Sequence, residues 1–459
     1  MSLDLVIHGQ LVTPSEVFDG FLGIQDGKIA AISRGELDGP LLVGPLLDVS
    51  GQLVFPGGID VHVHVSSSEL HPEGWTRLTQ CAAAGGITSV IDMPYDAPQP
   101  TVNAELFAAK VQRLRAEALI DAGLYGTIRK RGGVPDIAGM AAAGASAFKF
   151  STYETDPQRF PRIPGDELLP ALRKLGRLGL PAVFHAEDGE IIDALIEQLR
   201  PRGQESPRLH AQSRPPVSEM VAVAGLLELA RAVTAAGFPV KLHIAHLTVP
   251  PGFHLLEHYR SLGIDVTAET CIHYLTLNED DLEQQGAPLK CNPPLRPAAM
   301  QEALWAEVLA GRVSCVTTDH APWPPQLKDK ANIFDNKSGM PGLETMLPLL
   351  YSEGVVRRGL PLTEFARLTA SGPAERFGLA HRKGSLRVGL DADLCILDPA
   401  ATHTVRAAES YSIAQHSPYQ GRTLQGRITH TLLRGQIVYD GQTVTAQPGY
   451  AQFLTPEFA

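Results

Sequence analysis

The stretch Pro56–Val65, PGGIDVHVHV, sets two histidines two positions apart in a β-branched run that follows a Pro-Gly-Gly turn. Successive side chains of a strand point to opposite faces, so His62 and His64 project the same way and can converge on one point. A metal ion could occupy that point. An isolated His-X-His is as often a structural pair as a ligand pair, so the rest of the chain has to decide.

Seven more strand-like runs follow it: TSVIDMP, AGLYGT, ASAFKF, AVFHAE, VKLHIAH, DVTAET and VSCVTTD, ending at residue 319. The segments between them, such as 103–119 and 218–236, have helical composition and length. Strand-helix alternation repeated eight times predicts an α/β chain built on a closed (β/α)8 TIM barrel. Irregular stretches at 201–215 and 321–342 read as loops over one mouth. Residues 1–55, and the chain from about 384, differ: they are short alternating strands broken by Gly and Asp turns. Both termini are therefore expected to form one small β-sandwich domain, residues 1–55 with 371–459, flanking a barrel of residues 56–370.

The chain has 459 residues, 44% of them hydrophobic and 19% charged, which suits one large barrel plus a second unit. No run of 18 apolar residues and no basic-then-apolar leader is present, so a chain that stays in the cytoplasm and off the membrane is expected. A formal charge of −11 offers no basic stripe to a nucleic acid. The cysteines at 81, 271, 291, 315 and 395 stand singly, without the CxxC spacing of a zinc knuckle and without a disulfide framework.

In a barrel the chemistry gathers at the C-terminal ends of the strands. There the sequence places His62 and His64 on the first run, Lys149 on the fourth, His185 on the fifth, His246 on the sixth and Asp319 on the eighth. Packing does not explain such a set. Lys149 is its odd member, because an ammonium ion is a poor companion for divalent metals and costly to bury unneutralised. His243 lies three residues before His246 and is expected to face the other side of its strand. His320 and His273 are expected to hydrogen-bond beside the site.

Pro56–His64, Phe148-Lys149, Val183–Glu187, Leu242–Leu247 and Thr318–Pro322 resemble the amidohydrolase superfamily, specifically its cyclic amidohydrolases: allantoinases, dihydropyrimidinases (hydantoinases) and dihydroorotases. The resemblance runs nearly end to end, through Gly85–Pro94, Glu269–Tyr274, Lys290–Arg296 and Gly389–Asp393. It implies two divalent metal ions, zinc first and cobalt, iron or manganese as alternatives. His62, His64, Lys149 and Asp319 would hold one, and Lys149, His185 and His246 the other. Lys149, carbamylated by CO2, would be the anionic bridge. It also implies a homo-oligomer, a tetramer as family members commonly are, and a small neutral cyclic amide as substrate.

The reaction so implied is ring opening by a water ionised between the metals, with Asp319 as the catalytic base that passes its proton to the leaving ring nitrogen. Dihydroorotases carry an arginine two positions after the second histidine and an asparagine after the Met-Pro; here these are Ser66 and Tyr95, and a serine cannot form the bidentate pair that holds a carboxylate. Trp323 also departs from them. HPEGWTRLTQ, AETCIHYLTL, TTDHAPWPPQLKDKANI and HSPYQGRTLQGRITHTLLRG resemble the allantoinase group, which opens allantoin to allantoate, although Ser66–Glu69 replaces its usual Glu-Pro-Gly. Tyr153 and Asn292 are expected substrate contacts. A second class, assembly proteins related to dihydropyrimidinase, has lost metal ligands, whereas every ligand position here is filled.

Overall fold

The computed structural model describes residues 3–35 and 44–458. Strands β1 (Leu5–Val12), β2 (Val17–Gln25), β3 (Lys28–Arg34) and β4 (Leu46–Pro56) come first. Eight barrel strands follow: β5 (Gly58–Val63), β6 (Ile87–Asp92), β7 (Asp121–Gly126), β8 (Ala147–Ser151), β9 (Pro181–His185), β10 (Lys241–Ile244), β11 (Val266–Cys271) and β12 (Cys315–Thr317). The chain ends through β13 (Leu394–Thr404), β14 (Thr423–Leu433) and β15 (Gln436–Tyr439).

Strands β5 to β12 lie side by side in sequence order, each parallel to the next. Helices cover their outer side, so both faces are buried and the sequence reads as near-continuous apolar runs rather than as alternation. Phe148, Phe150, Ala182, Phe184, Leu242 and Ile244 belong to the shell packed against the helices. The alternate residues Ala147 and Val183 belong to a second, inner cluster with Ile59, Val61, Ile91 and Tyr125. The ring closes between β12 and β5: Val63 bridges His320, and the buried Asp60 carboxylate accepts from the Thr318 hydroxyl and from the His62 amide at 3.0 Å.

The helices expected at 103–119 and 218–236 are found at Ala104–Glu117 and Pro216–Ala235. The first begins where the Asn103 side chain accepts from the Leu106 amide at 2.9 Å, satisfying one of the free donors at a helix start. Both expected loop regions hold only short helical turns.

The two termini do meet, as a seven-stranded sheet in the order β15-β14-β13-β4-β1-β2-β3. All its pairings are antiparallel except β1 with β4. Alternation along β4 explains how it joins the barrel. Val54 faces a core of its own with Ile7, Leu22, Ile29 and Ile396, while Leu53 and Phe55 turn into the barrel's helical shell. The expected boundary at residue 371 falls too early. Ala374, Phe377 and Leu379 join Leu454 in the inner barrel cluster, so these segments plug the barrel floor and the chain enters the terminal sheet near Leu394. The floor needs such a plug because the inward side chains at that end would otherwise meet water.

Candidate metal centre

All six strand-end residues line one cavity at the mouth of the barrel. His62 and His64 do point the same way. Their Nε2 atoms lie 3.3 and 3.1 Å from the same oxygen of Asp319. Across the cavity, Nδ1 of His185 lies 2.9 Å from Nε2 of His246, and the rings of His62 and His246 stand 5.3 Å apart. His246 and Asp319 both sit just past their strands with φ of 40° and 45°, a left-handed backbone that a residue with a side chain seldom adopts. Such strain gathers at functional sites, where the surrounding fold overdetermines the conformation.

The remaining ring nitrogens are held from outside. His62 Nδ1 is bonded to Glu269, whose other oxygen meets His243 Nε2 at 3.3 Å. His185 Nε2 donates to Glu187 at 2.7 Å, and Glu187 is in turn paired with the buried Arg214. A carboxylate behind an imidazole fixes both its tautomer and its orientation, so His62 presents Nε2 to the cavity and His185 presents Nδ1. Burial alone would raise these carboxyls. For Glu187, Arg214 and His185 outweigh it and hold the group at about 2. For Glu269, His62 and His243 do the same and hold it well below the usual range.

Lys149 is buried among these groups, and its Nζ has no hydrogen-bond partner among the described residues. Burial, partly opposed by Glu269 and Asp319, brings its amine down to about 8. Burial likewise pushes His64 to about 4, so it is a neutral imidazole with a free lone pair at pH 7. Asp319 stays ionised: burial would raise it, but His62 and His64 bring it to about 2. Imidazoles, one carboxylate and an unpartnered buried amine form a donor set suited to zinc-like divalent ions once the amine becomes anionic.

One expectation needs correction. His243 does not turn away from the site but lies beneath it, sharing Glu269 with His62. Strand alternation ends at Ile244, and the left-handed turn at His246 breaks the parity on which the expectation rested. The Tyr153 ring packs under the Arg214 guanidinium at 4.3 Å, its centroid 6.5 Å from that of His185. Asn292 is on the wall, where it accepts from Ser338 at 3.3 Å, together with Ser67, Arg159, Phe160 and Trp323. His320 donates to Glu73 at 2.6 Å and accepts from the Gly342 amide at 3.0 Å, and so braces the turn after Asp319. Nε2 of His273 is buried without a partner among the described residues.

Sequence reading missed Glu187, Arg214, Glu269 and Arg159. The first was legible as the carboxylate two residues after His185. The others come from a loop, a neighbouring strand and a turn, and no spacing ties them to the histidines.

The amidohydrolase family model matches residues 53–438. An allantoinase of Rubrobacter xylanophilus is 37% identical, covering 99% of this chain and 98% of its own. An allantoinase of Deinococcus radiodurans is 38% identical, covering 98% of each. Among solved structures, the L-hydantoinase (dihydropyrimidinase) from Arthrobacter aurescens superposes with a TM-score of 0.93 at 30% identity, over 99% of this chain and 100% of that one. With a strand-end constellation of this kind and a match spanning barrel and terminal sheet alike, the chain belongs to the amidohydrolase family.

Proposed function

We propose that this protein is an allantoinase-like cyclic amidohydrolase that opens the hydantoin ring of allantoin to give allantoate. The observation that carries the reading is Lys149, an unpartnered buried amine that lines one cavity with four imidazoles and Asp319. An amine lowered to about 8 is neutral in a far larger fraction near pH 7–8 than an ordinary lysine, and the neutral amine is the form that attacks CO2. His62, His64, Asp319 and carbamylated Lys149 would hold one divalent ion, and Lys149, His185 and His246 a second, zinc being the first candidate. Bound there, such ions supply Lewis acidity and let water ionise near neutral pH.

Asp319, held by His62 and His64, takes the proton of the attacking water and returns it to the ring nitrogen as the C–N bond breaks. One amide and one water thus become one carboxylic acid and one freed N–H. The hydantoinase fold neighbours keep dihydropyrimidinase or hydantoinase activity as the second reading, with dihydroorotase activity behind it.

Five buried, unpaired cysteines support a reducing, cytoplasmic setting. No helix of the described residues is long and apolar enough to cross a membrane. Val217 and Val221, one turn apart and exposed on Pro216–Ala235, support a homo-oligomer, for which a tetramer is proposed. The test is a hydrolysis screen of allantoin, hydantoin, dihydrouracil and dihydroorotate alongside metal analysis. Allantoin as preferred substrate and about two metal equivalents are expected. No turnover of any ring would overturn the proposal, and metal-free protein would favour an assembly role.

A further inference from the structure

Ser66 leaves the cavity without the arginine that follows the metal histidines in dihydroorotases, yet a different loop brings an arginine to the same wall. Arg159 lines the cavity on a tight turn in which Asp156 and Phe160 pair through their backbones and the Asp156 carboxylate accepts from the Arg159 amide at 2.8 Å. Phe160 fixes that turn from the other side, stacking on Tyr95 with ring centroids 3.6 Å apart and meeting His185 edge-on at 5.8 Å. The guanidinium makes one side-chain hydrogen bond to the described residues, from Nη1 to the Tyr95 carbonyl at 2.6 Å. No carboxylate among them lies within the 4.0 Å of an ion pair. A guanidinium carries five N–H donors in a fixed fork. Most of that fork is therefore available to the cavity, preset by the turn at no further ordering cost.

We infer that Arg159 is a specificity-determining residue that reads an oxygen acceptor carried on the substituent of the substrate ring, the part the metal ligands do not touch. This rests on the ring-opening reading above and goes beyond it by naming what selects among rings. The acceptor is a neutral ureido carbonyl if the ring is that of allantoin and a carboxylate if it is an acid-bearing ring. Both present a lone pair to the same fork. An unsubstituted ring presents nothing to it.

The experiment measures kcat/KM of the holoenzyme and of Arg159→Met and Arg159→Lys on allantoin, hydantoin and hydantoin-5-acetic acid, with metal content determined for each. A charge-assisted hydrogen bond lost from the substituent should lower the ratio of allantoin to hydantoin by about 10- to 100-fold in Arg159→Met. Arg159→Lys, which keeps the charge but loses the fork, should fall between, and metal content should not move. A larger fall for the acetic acid than for allantoin would assign Arg159 to a carboxylate and count against allantoin as substrate while supporting the arginine's role. An equal loss on all three rings, or an unchanged ratio, would overturn the inference. Failure of the wild-type protein to open allantoin would overturn the functional reading alone.

Discussion

His185 and His246 face one another across 2.9 Å, and they reach that position from opposite nitrogens, Nδ1 of the first and Nε2 of the second. The difference originates behind the rings, where Glu187 takes the Nε2–H of His185. Replacing Glu187 by Ala frees the ring to turn or change tautomer. Metal affinity should then fall by about 10- to 100-fold, the range for losing an outer carboxylate partner. Competition with a chelator measures it, and unchanged affinity would show that Glu187 serves only the ion pair with Arg214.

Asp319→Ala should lower kcat by at least about 10²- to 10⁴-fold, the usual contribution of a general acid-base group. Much of the metal should remain, since four histidines and the lysine are untouched. A variant within a few-fold of the parent would remove Asp319 from the proton-transfer role.

Lys149→Ala should lose metal and activity together, and a short carboxylic acid in solution should restore part of both by filling the vacated bridge. Reconstitution of apoprotein without bicarbonate should be slow for the same reason. Lys149→Arg keeps a positive charge but cannot be carbamylated, so full metal content in that variant would refute the bridge.

A separate ionic cluster joins the barrel to the terminal sheet. Lys383 lies 2.6 Å from Asp121 on β7 and 3.0 Å from Asp391, and it is also paired with Asp393. Burial would raise the Asp391 carboxyl, but Lys383 and Lys28 hold it at about 2. Its folded value is thus below the unfolded value of about 3.9, so its stabilisation is present above pH ~4 and is lost as pH falls towards 2. Lys383 is raised against the pull of burial by Asp393, Asp121 and Asp391, so its stabilisation is full below pH ~10.4 and is lost above. Lys383→Met should cost about 3–5 kcal/mol, because it strands buried carboxylates. Thermal unfolding from pH 2 to 8 would check this; an unchanged midpoint at pH 7 would contradict it.

The barrel was legible because strands buried on both faces leave apolar runs that no surface element would carry, and the site because strand parity aims His62 and His64 alike. Parity failed at His246, where the chain has already left β10 in a left-handed turn. Glu269 was hidden for a related reason: it is an inward residue of β11 whose partners, His62 and His243, belong to other strands. The floor was illegible because Ala374, Phe377 and Leu454 become a barrel core only through where the two segments return, which their local pattern does not show. Arg159 and Arg214 sit on turns and loops, where side-chain direction follows no period.

The return of the chain to the barrel floor bears on how the protein is made. Leu454 seals the inner cluster, and the Gln452 amide bonds to Asp121, 331 positions earlier. During synthesis at about 5–20 residues per second, β7 therefore waits on the order of tens of seconds for the residues that cover its base. Strand β4 waits slightly longer for its neighbour β13. A nascent chain halted before residue 394 would expose an open floor and the unpaired edge of β4 together, and the floor alone would stay open until residues 452–454 emerge.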